Sequence, residues 1–290
     1  MEGMKADFSR PRFGRLRSGS IFLPIRRPFT IARLDAERWA VGFDPPPESC
    51  YPSALEDCMV MKNIRSVHEK VVRCVQCPRL VRYCREVAKT KRRAYREEIY
   101  WGRPVPGWGD PKGRLLMIGL APAAHGGNRT GRLFTGDASG DFLFRALHKA
   151  GFANQPISER QGDGLKLHDA YLTAVVHCAP PDNRPLPEEI ENCRGYLQQE
   201  LTLLRRVKAV LVFGRIALEG YRAALREASG TGLSSATVPF THGASYDMGP
   251  SLPRLFISYH PSRQNTQTGR LTQPMLDAVF EKISAYLKNL

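Results

Sequence analysis

A chain of 290 residues, 42% of them hydrophobic, can bury a sizeable core, and one globular domain with an extension fits that length better than two full domains. Its formal net charge of +15 points to a polyanionic partner, because clustered Lys and Arg displace the counterions condensed on nucleic acid; charge alone does not separate DNA from RNA or a membrane surface. No window of about 18 apolar residues occurs and residues 1–17 lack the apolar core of a secretory signal, so a cytosolic protein with no membrane partner is expected.

Residues 1–55 are rich in Arg, Pro and Ser, with three consecutive prolines at 45–47 and no sustained periodicity. They read as a basic, irregular extension, and residues 56–290 as the domain itself. Between residues 61 and 100, twelve Lys or Arg face four Asp or Glu, so this stretch alone supplies a net +8. Leu80, Cys84 and Val87 recur there at helical spacing, predicting a helix with one apolar stripe, and the cations of residues 79–96 are candidates for a polyanion-binding surface.

Downstream, the apolar runs 115–120, 171–176, 207–213 and 255–259 read as buried strands, each followed by a helical pattern at 139–150, 187–206, 215–228 and 271–287. Gly151 and Pro187 stand where stop and start residues belong. This alternation predicts a three-layer α/β/α sandwich around a central, mainly parallel four-stranded sheet. In such sheets the ligand sits outside the carboxyl ends of the strands. The unusual segments fall there: Gly119-Leu120-Ala121-Pro122, His177-Cys178-Ala179-Pro180 and His260-Pro261-Ser262. The first opens a glycine-studded run to Asp137 that matches neither a P-loop nor the Gly-x-Gly-x-x-Gly turn, yet lets backbone amides approach an anionic or planar ligand.

Seven cysteines at irregular spacing argue against a disulfide framework. Cys74 and Cys77 can bite one metal centre, and Cys178 and Cys193, fifteen positions apart, complete four ligands if the fold gathers them. Zinc and an iron-sulfur cluster both satisfy that count, and core thiols are the plain alternative for Cys178 and Cys193. Cys84 lies on the apolar stripe and reads as a buried thiol; Cys50 and Cys58 are unassigned.

The strand end Gly119-Leu120-Ala121-Pro122, its continuation Asn128-Arg129-Thr130-Gly131-Arg132 and Phe134-Thr135-Gly136-Asp137, and the segment from His260 through Asn265 to Arg270 resemble the two signature motifs of family 5 uracil-DNA glycosylases, the iron-sulfur type of bacteria and archaea. The resemblance covers residues 65–290. It implies a [4Fe-4S] cluster on Cys74, Cys77, Cys178 and Cys193, excision of uracil from DNA, and tolerance of hypoxanthine, xanthine and ethenocytosine. Related families carry a carboxylate where this chain has Leu120 or Ala121, so the strand end cannot itself activate water.

Cleaving an N-glycosidic bond builds positive charge on the sugar and negative charge on the base, after the base has left the helix. Phe134 is placed to stack on that base or to serve the core. Asn183 either reads the O4 and N3 edge or forms a turn. Backbone amides of Gly119, Leu120, Ala121, Pro122 and Ala123 are candidates for the O2 region. His260 can donate to O2 as the anion forms. Asp137 either positions water or caps the next helix. Ser262, Arg263, Gln264, Asn265, Thr266, Thr268 and Arg270 are expected on phosphates or in the duplex. The expected protein is a monomeric, monofunctional glycosylase. A non-catalytic iron-sulfur nucleic-acid-binding protein on the same scaffold and a zinc-dependent nucleotide hydrolase are the alternatives.

Overall fold

Four buried pentapeptides make the centre of the sheet: β2 (Leu115–Gly119), β3 (Ala170–Ala174), β4 (Ala209–Phe213) and β6 (Arg254–Ser258). They carry almost no polar side chain because helices cover both faces, as parallel sheets require. The computed structural model describes residues 52–229 and 238–290. The parallel order is β3-β2-β4-β6, and two short antiparallel strands complete the edges, β1 (Trp108–Gly109) beside β3 and β5 (Ser245–Tyr246) beside β6. The sequence predicts the four central strands within two residues at either end but not the edge pair. Two-residue strands carry no period to read.

The helices are α1 (Pro52–Val72), α2 (Pro78–Thr90), α3 (Gly127–Thr130), α4 (Ala138–Lys149), α5 (Pro187–Leu203), α6 (Arg215–Ser229), α7 (Arg263–Gln267) and α8 (Gln273–Lys288). Residues 1–51 of the expected extension lie outside the described residues, as does Cys50. Helix α1 already begins at Pro52, inside the stretch read as irregular. Prolines open α2 and α5, where the missing N–H costs nothing. Leu143, Phe144 and Leu147 of α4 and Leu276, Phe280 and Ile283 of α8 pack on one face of the sheet with Leu115, Met117 and Leu211. Ile64 of α1, Leu80 and Cys84 of α2, Leu197 of α5 and Tyr221 of α6 cover the other face against Leu116, Ile118 and Val212. Each such fully buried side chain contributes about 1.5–3 kcal/mol.

One polar cluster inside this second layer is fully paired. Tyr171 donates to Glu200 Oε1 at 3.2 Å, Thr173 donates to Glu200 Oε2 at 2.6 Å, and His68 Nε2 lies 2.6 Å from the Tyr171 hydroxyl. Burial pushes the Glu200 carboxyl up to about 7. The network ties α1, β3 and α5 together beneath the cysteine-bearing segments.

Candidate active site

At the carboxyl ends of β2, β3 and β6 lies a cavity of about 700 Å³, lined on one side by Leu120, Ala121, Ala123, His125, Phe134 and Asp137 and on the other by Asp182, Asn183, His260, Ser262, Arg263 and Gln264. Two of the three strand-end segments singled out by sequence, those after β2 and β6, border this cavity; His177-Cys178-Ala179-Pro180 does not line it, and only Asp182, Asn183 and Arg184 beyond that segment do, while Cys178 turns to the cysteine-lined cavity. Gly119 and Pro122 do not line it; both are buried behind the loop. Gly119 matters through its missing side chain, since a Cβ there would stand 2.8 Å from the Phe134 ring.

Phe134 sits in the left-handed region at φ 52°. Its ring centroid is 5.5 Å from that of His260 at an interplanar angle of 27°, and 5.6 Å from Phe213. It is thus both a core residue and the apolar wall of the cavity. Burial drives the His260 imidazole down to about 4, so the ring is neutral at physiological pH and carries a single N–H. Asn265 Nδ2 donates to the His260 carbonyl at 2.8 Å and fixes the backbone that carries it.

Asp137 does cap α4: Oδ1 accepts from Ser139 N at 2.9 Å and Gly140 N at 3.0 Å. Its other oxygen faces Gly126, where a Cβ would come within 1.8 Å of Oδ2. Burial raises the carboxyl above the usual range, and the two N–H donors offset that only in part. The capping and site-facing readings are therefore compatible, one oxygen for each.

Asn183 ends a 3₁₀ turn (Pro181–Asn183) in which Asp182 and Asn183 both take positive φ, 53° and 56°. Such a pair favours short polar side chains. The side chain of Asn183 is exposed at the cavity and makes no hydrogen bond among the described residues. The turn is held from below by Arg79, which donates to Glu189 Oε1 and Oε2 at 2.8 Å each and to the Arg184 carbonyl at 3.2 Å. Arg79 is accordingly a brace between α2 and α5, a correction to its reading as part of the polyanion surface. Helix α2 also stops at Thr90, short of Arg96, with Lys91 at φ 53°.

In the second motif, Arg263 and Gln264 are exposed at the cavity, while Ser262 caps α7 through Asn265 N. Thr266 donates to the Ser262 carbonyl at 3.2 Å and Thr268 to that of Gln264 at 2.6 Å. Asn265, Thr266 and Thr268 thus shape the segment from within. Arg270 lies over the Tyr259 ring at 4.7 Å, outside the cavity lining.

Two arginines of the first motif, which sequence gives no separate role, prove to be struts. Arg132 forks onto Asp163 at 2.9 and 2.6 Å and donates to Thr135 and Ser158. Arg129 pairs with Glu98, donates to the Gly136 carbonyl at 2.7 Å and that of His125 at 2.8 Å, and covers the Tyr95 ring at 3.9 Å. Arg92, Tyr95, His125, Asp182 and Arg184 also line the cavity. Sequence reasoning placed Arg92 only on the general basic surface and missed the other four as site residues; residues 92–100 have no periodicity, and only the fold lays them against the motif loop.

Cys74, Cys77, Cys178 and Cys193 line one small, largely apolar cavity with Leu80, Val81, Pro104 and Val176. Backbone N–H of His177 points to Cys193 Sγ at 3.4 Å and Asn192 Nδ2 to Cys77 Sγ at 3.7 Å. Cys84 donates to the Ala179 carbonyl at 3.6 Å and is the buried thiol its stripe predicts. Burial pushes Cys193 up to about 12 and raises Cys77, while the contact with Cys84, followed by burial, drives Cys178 well up. Thiols so placed ionise when a cationic centre offsets their desolvation. The donor chemistry therefore fits a thiolate-ligated metal group, although among the described residues no three His, Cys, Asp or Glu side chains are arranged to hold a single ion.

A doubly wound sheet with a cavity at its carboxyl ends, walled by an aromatic ring and a neutral histidine, defines the class: an α/β/α protein with its candidate site at the strand ends. Residues 106–284 match the model of the uracil DNA glycosylase superfamily. The type-5 uracil-DNA glycosylase of Thermus thermophilus is 53% identical over 209 residues, covering 72% of this chain and 91% of that protein. That of Pyrobaculum aerophilum is 46% identical over 216 residues, 74% of this chain and 90% of the relative. A type-4 uracil-DNA glycosylase of the latter organism is 29% identical over 223 residues, 76% and 90% of the two chains. The chain belongs to the type-5 uracil-DNA glycosylases of that superfamily. No described helix is long and apolar enough to cross a membrane.

Proposed function

We propose that this protein flips uracil out of DNA and hydrolyses its N-glycosidic bond, leaving an abasic site, with hypoxanthine, xanthine and ethenocytosine as further substrates. The observation that carries the reading is the pairing of a neutral His260 with the half-committed carboxylate of Asp137 across one cavity.

An extruded base stacks against Phe134 where it lines the cavity, beside Leu120 and Ala121, whose small or apolar side chains leave room at the strand end. Base recognition falls to the Asn183 amide, which offers a donor to a carbonyl and an acceptor to a ring N–H. As the glycosidic bond lengthens, charge collects on the pyrimidine O2, and the His260 N–H stabilises it. A neutral donor suits this task, because the proton stays on the histidine while the leaving anion is weakly basic. Asp137 Oδ2 orients water toward the sugar carbon and accepts its proton; the raised affinity of this carboxyl for a proton strengthens it as a base. With Leu120 and Ala121 at the strand end, Asp137 is the acidic residue of the first motif left for this role.

A [4Fe-4S] cluster is the proposed cofactor, held by Cys74, Cys77, Cys178 and Cys193. Bound there, it supplies a covalent staple joining the segment before α2, the end of β3 and α5; no step of excision passes through it. Duplex DNA is the partner, engaged by Arg263 and Gln264 at the cavity mouth, and the protein acts as a monomer in the cytoplasm.

The test is incubation of purified protein with duplexes carrying one uracil, hypoxanthine or normal base, followed by alkaline cleavage and by direct detection of the freed base. Strand scission at uracil with recovery of free uracil is expected. Retained duplex binding without free base, from cluster-loaded protein, would replace this reading by the non-catalytic one. Iron and sulfide analysis, with visible absorption that bleaches on reduction, tests the cofactor separately, and stoichiometric zinc without iron would overturn it.

A further inference from the structure

Each sulfur of the cysteine cavity has a polar neighbour, and three of those neighbours are donors. Asn192 Nδ2 lies 3.7 Å from Cys77 Sγ, and the His177 N–H is directed at Cys193 Sγ at 3.4 Å. The Tyr196 hydroxyl is hydrogen-bonded to Cys74. Cys178 is in contact with Cys84, whose own S–H is turned to the Ala179 carbonyl at 3.6 Å.

Helix α5 explains the placement. Asn192 and Tyr196 stand four residues apart on it and share a face. Asn192 lines the cysteine cavity, and the Tyr196 ring packs edge-on against His177 with centroids 5.8 Å apart. The donors therefore cross the fold: two side chains of α5 serve the cysteines that precede α2, while the backbone after β3 serves the cysteine of α5. Neither Asn192 nor Tyr196 lines the base cavity.

A thiolate-ligated redox group becomes more negative when it takes up an electron. The apolar lining of the cavity and the burial of Cys178 and Cys193 work against that added charge. An N–H or O–H aimed at a ligand sulfur favours it, because hydrogen bonds to charged acceptors are the stronger ones, and such donors help to set the reduction potential.

We propose that Asn192 and Tyr196 raise the reduction potential of the group held by Cys74, Cys77, Cys178 and Cys193, and so guard it against oxidation. The inference rests on the reading of that group as an iron-sulfur cluster. The two residues act through the cysteine sulfurs and are positioning residues, not ligands.

Cluster-loaded protein, purified without air, is titrated with dithionite and ferricyanide, and its visible absorption reports the fraction reduced. Tyr196→Phe removes one hydroxyl and Asn192→Leu one amide at nearly constant shape. Each is expected to shift the one-electron equilibrium toward the oxidised form by about threefold to tenfold, which at about 59 mV per decade lowers the potential by about 30 to 60 mV. The double variant should show the sum, because the donors serve different sulfurs. Asn192→Asp puts a carboxylate where the amide was and should lower the potential further than Asn192→Leu. Ferricyanide, which takes one electron from the group and becomes ferrocyanide, should bleach both loaded single variants faster than the wild type; equal rates would overturn the guarding role. Iron and sulfide content and Tm are followed alongside, since a merely structural role would move those and leave the potential in place. Wild-type potentials in loaded Tyr196→Phe and Asn192→Leu would overturn the proposal. Should Asn192→Leu fail to load, Tyr196→Phe, which removes a single oxygen, decides alone. Wild-type protein without iron and sulfide would overturn the cluster reading instead, and this inference would fall with it.

Discussion

Asp137 carries two duties on two oxygens, and substitutions can separate them. Oδ1 caps α4 through Ser139 N and Gly140 N, a function that Asn and Ser side chains also perform but Ala does not. Losing the cap costs about 1 kcal/mol, which for a domain of this size lowers Tm by about 2–4 °C. Oδ2, packed against Gly126, is the oxygen assigned to the water, and loss of a general base slows a reaction by roughly 10²–10⁴-fold. Asp137→Asn, Asp137→Ser and Asp137→Ala should therefore share a fall in single-turnover excision of about 100-fold or more, while only Ala loses the cap. The charge adds a signed effect. Because burial raises the folded-state carboxyl above its unfolded value, the stability it contributes is present at low pH and is lost as pH rises through the folded value. The wild type should consequently gain on Asp137→Asn as the buffer is made more acidic in parallel thermal melts. If Asn and Ser lowered Tm as much as Ala, the cap assignment would be wrong. If Asn excised uracil at the wild-type rate, the catalytic half would be.

His260, held near 4 by burial, stays neutral across the working range, so excision should show no step from its titration between pH 6 and 8. The acid limb belongs to Asp137 and should vanish in Asp137→Asn. His260→Ala should cost about 10²–10³-fold in excision and leave binding to an abasic duplex within a few fold, as removal of a single anion donor does. Equal losses in rate and binding would refute the leaving-group role. Arg132→Met should destabilise by roughly 3–5 kcal/mol in urea, since it strands Asp163 in a buried site where both partners are 8% exposed. Burial pushes Asp163 up, but Arg132 and the N–H groups of Leu165, Glu159 and Arg160 more than offset it and leave the carboxyl at about 2. Its stabilising share is thus complete above the unfolded carboxylate range and fades as pH falls toward 2. An unchanged urea midpoint would show that the strut bears no load.

Local sequence determined the layers. Five-residue apolar runs at β2, β3, β4 and β6, alternating with amphipathic stretches, admit few arrangements other than a covered parallel sheet, and a parallel sheet puts its site at the carboxyl ends. The segments after β2 and β6 were legible as parts of one site for that reason, whereas His177 to Pro180, expected beside them, does not line the cavity. Side-chain duty was not legible. Arg79 looks in sequence like a cation for a polyanion, and Arg129 and Arg132 carry no separate role there; tertiary structure spends them on Glu189, Glu98 and Asp163. Asn265 and Thr266 likewise face inward, onto carbonyls of their own segment. Residues 92–102 show the limit most plainly. Nothing periodic marks them, and their place at the cavity rim follows from Arg129, some thirty positions on, whose contacts no local pattern encodes. Periodicity reports which face of an element meets the core; which charge meets which partner depends on distances between elements, and those exist only once the chain has folded.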